Sequence, residues 1–364
     1  MQNNSNNKLR VFEAFAGYGS QHLALKRLKR DYPEFDFEIV GISEIDKYAI
    51  QAYNALHDDV KNYGDISKID WSKVPDFDLL TYSFPCTDIS NAGQQQGFDE
   101  GSGTRSSLLW ECRKAIVQKR PKYLLMENVK AICSKKFMPL FAKWLKSLED
   151  YGYYTNWAVL NAKNYGIPQN RERCFAISIR RDLLDPNPVY HFPKPFELKL
   201  RLKDMLEAKV DEKYYLSDKM ISNIMSQVAN SITSAQKDSM VAEPLCSVHP
   251  NSRKFEFNPK TSIKPIAPAL RATDYKAPHC VYEPQILTPK RTEFGKAIRK
   301  LTPREYFRLM GVENADIDKL LSTGISNSQL YKCAGNSIVV DNLYHIMRNM
   351  FIDTGCESLQ LTLF

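Results

Sequence analysis

The feature that most constrains this chain is an alternation of short apolar runs with amphipathic ones, sustained from Leu9 to about Arg180. LRVFEAFA, FEIVGIS, FDLLTYS, KYLLMENV and CFAISI have strand length and near-continuous apolar character. Between them GSQHLALKRLKR, KYAIQAYNALH, SSLLWECRKAIVQ and FMPLFAKWLKSL carry apolar residues at i, i+3, i+4 spacing. Strands buried on both faces and helices with one apolar stripe together predict an α/β fold with a doubly wound, mostly parallel sheet. A chain of 364 residues has room for a second domain. Its start is marked by Pro186, Pro188, Pro193 and Pro195, after which short segments are broken by Pro, Ser and Asn. We therefore expect a first domain over 1–185 and a smaller, irregular, β-rich domain over 186–327. The segment 328–364 completes the first domain. LTPREYFRLMG predicts a helix opened by Pro303, and SQLYKCAGNSIVVDNLYHIMRNM predicts one helix whose apolar face docks back on the first domain.

Composition narrows the function classes. No apolar run approaches the roughly 18 residues that span a bilayer, and MQNNSNNKLR is too polar for a secretory signal, which points to the cytoplasm and away from membranes. The 8 Cys are scattered, with no CxxC and no His/Cys cluster at zinc spacing, so no metal is expected and any working Cys acts as a free thiol. Charge is concentrated. Leu245 to Lys300 holds eleven Lys and Arg against four Asp and Glu, seven of the net +8. Phe255, Phe257, Tyr275 and Tyr282 lie among those charges, so the segment reads as a nucleic-acid surface, with a solvated basic face as the alternative.

Three motifs sit where strands end. FEAFAGYGS places Gly17 and Gly19 between a strand and a helix, where glycine lets the backbone approach a ligand closely. Glu44 ends the second strand, where a carboxylate can accept from ribose hydroxyls, and Asp65 is expected near the end of a third, edge-ward strand. An adenosine-type cofactor pocket accounts for these, whereas the incomplete GxGxxG fingerprint counts against NAD. SFPCTDIS puts Cys86 at the carboxyl edge of the sheet, and MENV puts Glu127 at the same edge, so a thiol and an acid converge on one crevice. In QNRERC, Arg171 and Arg173 alternate at a strand start; they suit a phosphate or a base carbonyl, or else an ion pair with Glu172 or Glu127.

Taken in order, FEAFAGYGS, Glu44 with Asp65, SFPCTDIS, GSGTRSSLLWE, MENV, NYGIPQNRERC, RKLTPREYFRLMG and QLYKCAGNSIVV resemble the motifs of DNA (cytosine-5)-methyltransferases of the bacterial restriction-modification type, over almost the whole chain. The resemblance implies S-adenosyl-L-methionine as cofactor and double-stranded DNA as partner. It assigns Phe15, Ala16, Gly17, Gly19, Glu44, Ile45, Asp65, Ile66, Pro85, Asn336 and Ser337 to the cofactor. Cys86 would attack C6 of the target cytosine, Glu127 would act at N3, and Arg173 would contact the base carbonyl with Arg171 supporting the site. Thr87, Ser90, Arg105, Lys260, Lys264, Arg271 and Thr273 would face DNA. The resemblance further implies a monomer, bacterial or phage-encoded, with a cognate restriction endonuclease acting at the same site.

The loop from Thr87 to Gly103, rich in Gly and Gln, is expected to close over a base flipped from the duplex. Some positions depart from the family pattern: Thr87 stands where Gln is usual, Ile89 where Phe is usual, and Ala269-Leu270 where Thr-Leu is frequent. Three other classes compete. An RNA-directed relative is disfavoured by the long basic insert, a silent DNA-binding protein by the presence of Cys86 and Glu127, and an oxidoreductase by the joint occurrence of SFPCTDIS, MENV and QNRERC.

Overall fold

The computed structural model describes residues 8–90, 96–183, 190–217, 266–270, 280–283 and 297–353. The chain divides into two compact units. One comprises Met1–Asn161, Glu172–Phe196 and Ser337–Phe364; the other comprises Ala162–Arg171 and Glu197–Asn336.

In chain order the strands and helices up to Arg180 are β1 (Leu9–Ala14), α1 (Ser20–Asp31), β2 (Phe37–Ser43), α2 (Lys47–Leu56), β3 (Leu79–Tyr82), α3 (Leu109–Lys119), β4 (Tyr123–Val129), α4 (Met138–Asp150), β5 (Tyr153–Asn161), β6 (Gln169–Asn170) and β7 (Glu172–Arg180). The first unit is built on a six-stranded sheet of order β2-β1-β3-β4-β7-β5. Its first four strands are parallel, as the alternation predicts. One face buries Phe12, Leu80, Tyr82, Leu124 and Met126 with Trp110, Ile116, Phe141 and Trp144 of α3 and α4. On the other face Tyr53 of α2 reaches Glu13, and Tyr123 meets Phe351 edge to face. The helix Val340–Phe351 packs along α1 and is fastened there by Arg27–Asp341 at 3.2 Å and by Tyr344 donating to Asp31 at 2.9 Å.

The structure differs from the sequence reading in four elements. β5 was not expected: YYTNWAVLN is a sheet edge with a half-exposed face, so it has no continuous apolar run. β7 runs antiparallel to both β4 and β5, because only residues 162–171 separate it from β5, too few for a crossover helix. No strand ends at Asp65. A single parallel bridge joins Ile42 to Asn62, and two 3-10 turns follow, Ile66–Lys68 and Trp71–Lys73. Asp65 and Asp70 accept the N–H groups of Ser67 and Ser72, local bonds that favour turns over a ladder. Finally, the long helix expected near the C-terminus is two, Asn327–Asn336 and Val340–Phe351. Val339 between them is extended, and the β-branched pair Ile338-Val339 is buried.

The described part of the second unit contains β6 paired in parallel with β8 (Ala267–Pro268), an antiparallel pair of β9 (Cys280–Glu283) and β10 (Ala297–Lys300), and three helices, Pro303–Arg308, Asn314–Ser322 and Asn327–Asn336. Pro303 opens the helix as read, and the structure adds a capping box between Thr302 and Glu305. Glu305 also receives both terminal nitrogens of Arg299, at 2.7 and 2.8 Å, and the N–H of Glu207 at 2.8 Å; neither member of the ion pair is solvent-exposed. Among the described residues no helix is long and apolar enough to cross a membrane.

Candidate active site

The turn after β1 is left-handed at Phe15, Gly17 and Gly19, with φ of 57°, 59° and 83°. The two glycines have different surroundings. A Cβ on Gly17 would meet nothing within 4 Å, so this side of the turn is an open cradle. A Cβ on Gly19 would lie 2.3 Å from Nε2 of His57 and 2.8 Å from the Tyr53 ring, so any larger residue at this left-handed position must displace both rings.

Beside the cradle, Glu44 is held by backbone donors. Its Oε2 accepts the Gly17 N–H at 2.8 Å, and its Oε1 accepts those of Ile45 and Asp46, each at 2.8 Å. Asn62 fixes the main chain there by accepting from Glu44 N and Gly64 N and donating to Glu44 O. Sequence reasoning missed Asn62; its one signal was an Asn two residues before a Gly. Ile45 is 72% exposed, an apolar side chain held out beside this carboxylate. Asp65 caps its turn, and the Ser67 hydroxyl and N–H hold its carboxyl below the usual range. Ile66 is buried in the core, so its side chain does not line a pocket. Ala16 is buried too, with its N–H on Ser43 O.

Under the turn runs a buried polar chain that the sequence did not announce. His57 Nε2 lies 3.0 Å from Tyr18 O; a carbonyl only accepts, so that nitrogen carries the proton. His57 stacks on His22 with ring centroids 3.9 Å apart, His22 Nδ1 lies 3.0 Å from the Tyr53 hydroxyl, and that hydroxyl donates to Glu13 at 2.9 Å. Burial pushes the Glu13 carboxyl up to about 8. Burial, with the neighbouring His57, pushes His22 down to about 2.

Cys86 follows β3 at the carboxyl edge of the sheet and is partly exposed. Its carbonyl accepts from Ile89 N at 3.1 Å and Ser90 N at 2.8 Å, which closes a tight turn. Thr87 is exposed, whereas Ile89 is fully buried in the core with Phe84 and Phe98. Arg105 is exposed and starts a 3-10 turn, Arg105–Leu108, that Thr104 caps. Glu127, at the carboxyl end of the adjacent parallel strand β4, is buried, with Nε of Arg173 3.2 Å from its Oε1. Its neighbour Asn128 donates to Phe84 O at 3.0 Å, tying the Glu127 segment to the loop that carries Pro85 and Cys86. Thiol and carboxyl loops are thus fastened together. Asn128 had no separate sequence signal.

The two arginines do not form the same-side pair expected. That alternation requires one continuous strand, and the chain leaves the β6–β8 ladder after Asn170 before joining the large sheet at Glu172. Arg173 meets Glu127, the ion-pair alternative. Arg171 belongs to the second unit, where its buried guanidinium donates to the carbonyls of Leu270 and Gly335. Gln169 flanks it, donating to Leu309 O and accepting from Leu270 N. Leu270 is fully buried and Ala269 partly so. Asn336 is exposed at the end of its helix, and Ser337 begins the return to the first unit. Lys260, Lys264, Arg271 and Thr273 lie outside the described residues, as do residues 91–95 of the loop after Cys86.

Comparison with known proteins identifies the class. The family model for C-5 cytosine-specific DNA methylase matches residues 9–352. The chain belongs to this family and is a DNA cytosine-5-methyltransferase. It is 38% identical to the type II methyltransferase M2.ScrFI of Lactococcus lactis subsp. cremoris, over 94% of this chain and 99% of that one. It is 30% identical to the orphan methyltransferase M.SPRI of Bacillus phage SPR, over 94% and 97%. The fold is shared with the Entamoeba histolytica methyltransferase EhMeth (TM-score 0.66, 17% identity, 94% and 97% covered). It is also shared with S. pombe Dnmt2 (TM-score 0.63, 19% identity, 94% and 97% covered).

Proposed function

We propose that this enzyme methylates C5 of a cytosine flipped out of a specific duplex sequence, using S-adenosyl-L-methionine and a covalent bond from Cys86 to C6, as the modification half of a restriction-modification system. The observation that carries the reading is the buried Glu127–Arg173 pair fastened, through Asn128 and Phe84, to the loop of Cys86.

The residues after β1 and β2 suit the cofactor. The open side of Gly17 admits a ligand against the backbone, Glu44 is oriented for ribose hydroxyls, and Ile45 offers an apolar surface to an adenine. Asp65, Ile66 through its main chain, Phe15, Pro85, Asn336 and Ser337 complete the set. S-adenosyl-L-methionine supplies an electrophilic methyl group on a sulfonium.

The remaining chemistry belongs to the chain. Cytosine C5 is a weak nucleophile, and addition of the Cys86 thiolate to C6 turns C5=C6 into an enamine that can attack carbon. The electrons displaced toward N3 require a proton there. In the free enzyme the Arg173 Nε lies 3.2 Å from Glu127 Oε1. In this reading the base carbonyl takes the guanidinium, and Glu127 in its acid form gives its proton to N3 as the sulfur adds to C6. After C5 has taken the methyl group and S-adenosylhomocysteine is released, a water molecule accepts the C5 proton, the Cys86 sulfur leaves as a thiolate to restore the aromatic ring, and Glu127 recovers its proton from N3.

In this reading 1–185 with 328–364 form the catalytic half and 186–327 reads DNA. Lys260, Lys264, Arg271 and Thr273 contact the backbone, Thr87, Ser90 and Arg105 flank the flipped base, and the enzyme works as a cytoplasmic monomer beside a cognate endonuclease. The test is bisulfite sequencing of a plasmid from cells producing the protein or its Cys86→Ala variant. Protected cytosines in one sequence context are expected only with the unaltered chain, while Cys86→Ala still retards that duplex. Protection by the variant would remove Cys86 from the mechanism.

A further inference from the structure

We propose that Ser106 is the positioning residue for the Cys86 thiol, acting with Asp88 as a clamp on either side of it; this rests on Cys86 being the nucleophile. Ser106 is fully buried and Asp88 nearly so, at 7% exposure. The Ser106 hydroxyl donates to Pro85 O at 2.7 Å and accepts the Asp88 N–H at 3.2 Å. These are the peptide groups flanking Cys86-Thr87, so a single hydroxyl spans the nucleophile's turn. Asp88 answers it: its Oδ2 accepts the Ser106 N–H at 3.0 Å and the Thr87 hydroxyl at 3.2 Å. The same turn is linked to the far end of the following loop, because Gly97 N donates to Asp88 O at 2.9 Å and the Thr104 hydroxyl donates to Gly97 O at 3.0 Å.

A hydroxyl has one proton and two lone pairs, and here the proton and one lone pair are directed at main-chain groups of the Cys86 turn. The clamp touches neither the Gly17 cradle nor Glu44 and meets the cofactor set only at the Pro85 carbonyl, so its main effect falls on where the thiol sits. Attack on C6 depends on alignment, and displacement of a nucleophile by about 1 Å costs on the order of 100-fold in rate.

The test measures adduct formation with a duplex containing 5-fluorocytosine at the target, whose C5 fluorine blocks release of Cys86, together with binding of S-adenosylhomocysteine. Ser106→Ala and Asp88→Ala should slow adduct formation at saturating DNA and cofactor by about 10- to 100-fold, with affinities for S-adenosylhomocysteine and DNA little changed. Asp88→Asn, whose carbonyl still accepts from Ser106 and Thr87, should retain most of the rate. If Ser106→Ala does not fold, the contrast between Asp88→Ala and Asp88→Asn decides. Unchanged adduct rates, or rates and cofactor affinity falling together with the melting temperature, overturn the proposal. Absence of any adduct with the unaltered enzyme would instead overturn Cys86 as nucleophile.

Discussion

Replacing Glu13 with Gln should remove a pH-dependent weakness from the catalytic unit. Glu13 is fully buried on β1 and accepts from Tyr53, and its carboxyl titrates near 8 instead of 4.5 because burial disfavours the anion. The folded chain therefore holds a proton that the unfolded chain releases above pH 4.5. Stability from this group is complete below pH 4.5 and is lost as pH rises toward 8, at about 1.4 kcal/mol per unit. By pH 7.5 the loss amounts to about 4 kcal/mol. Glu13→Gln keeps an acceptor for Tyr53 but cannot ionise. Any fixed cost of burying the amide shifts its whole stability curve and leaves the slope alone. His22 works in the opposite direction, losing stability as pH falls below 6.5, but it is common to both chains and cancels in the difference. Melting temperatures measured from pH 5.5 to 8 should thus diverge in favour of Glu13→Gln, by roughly 3–6 °C per pH unit at about 2–4 °C per kcal/mol. Parallel curves would refute the buried neutral carboxyl.

The Arg299–Glu305 pair and the glycine turn offer two further tests. Glu305→Gln leaves a buried guanidinium without its counter-charge and should lower stability by about 3–5 kcal/mol, read as a lower urea midpoint. The double substitution Arg299→Met, Glu305→Leu should recover much of that loss, and an unmoved midpoint in the single variant would show that the pair is not closed in solution. Gly17→Ala and Gly19→Ala both carry the cost of a left-handed φ, about 1–2 kcal/mol, but only at Gly19 does the new Cβ meet His57 and Tyr53. Thermal melting should therefore fall further for Gly19→Ala; equal losses would mean that His57 moves aside freely.

The parts of this protein that were legible in its sequence are those with a local cause. Apolar periodicity announced the central strands and their helices because burial on both sheet faces needs it. The Gly-rich turn, Cys86 and Glu127 could be placed at the carboxyl edge because the strands before them were recognisable. Pro303 declared a helix start because proline suits the first helical position, where its missing N–H costs nothing. Tertiary structure decided what depends on partners distant in sequence. The direction of β7 follows from how soon it returns from β5. Arg171 and Arg173, two positions apart, serve different units because the chain changes sheets between them. The burial that turns Glu13 into a weak acid is set by α2, and the grip of Ser106 on the Cys86 turn joins groups 18 residues apart. A hydroxyl, a carboxyl or a guanidinium has no fixed role as a letter in the chain; its proton and its charge are assigned by the groups that folding brings within about 3 Å of it.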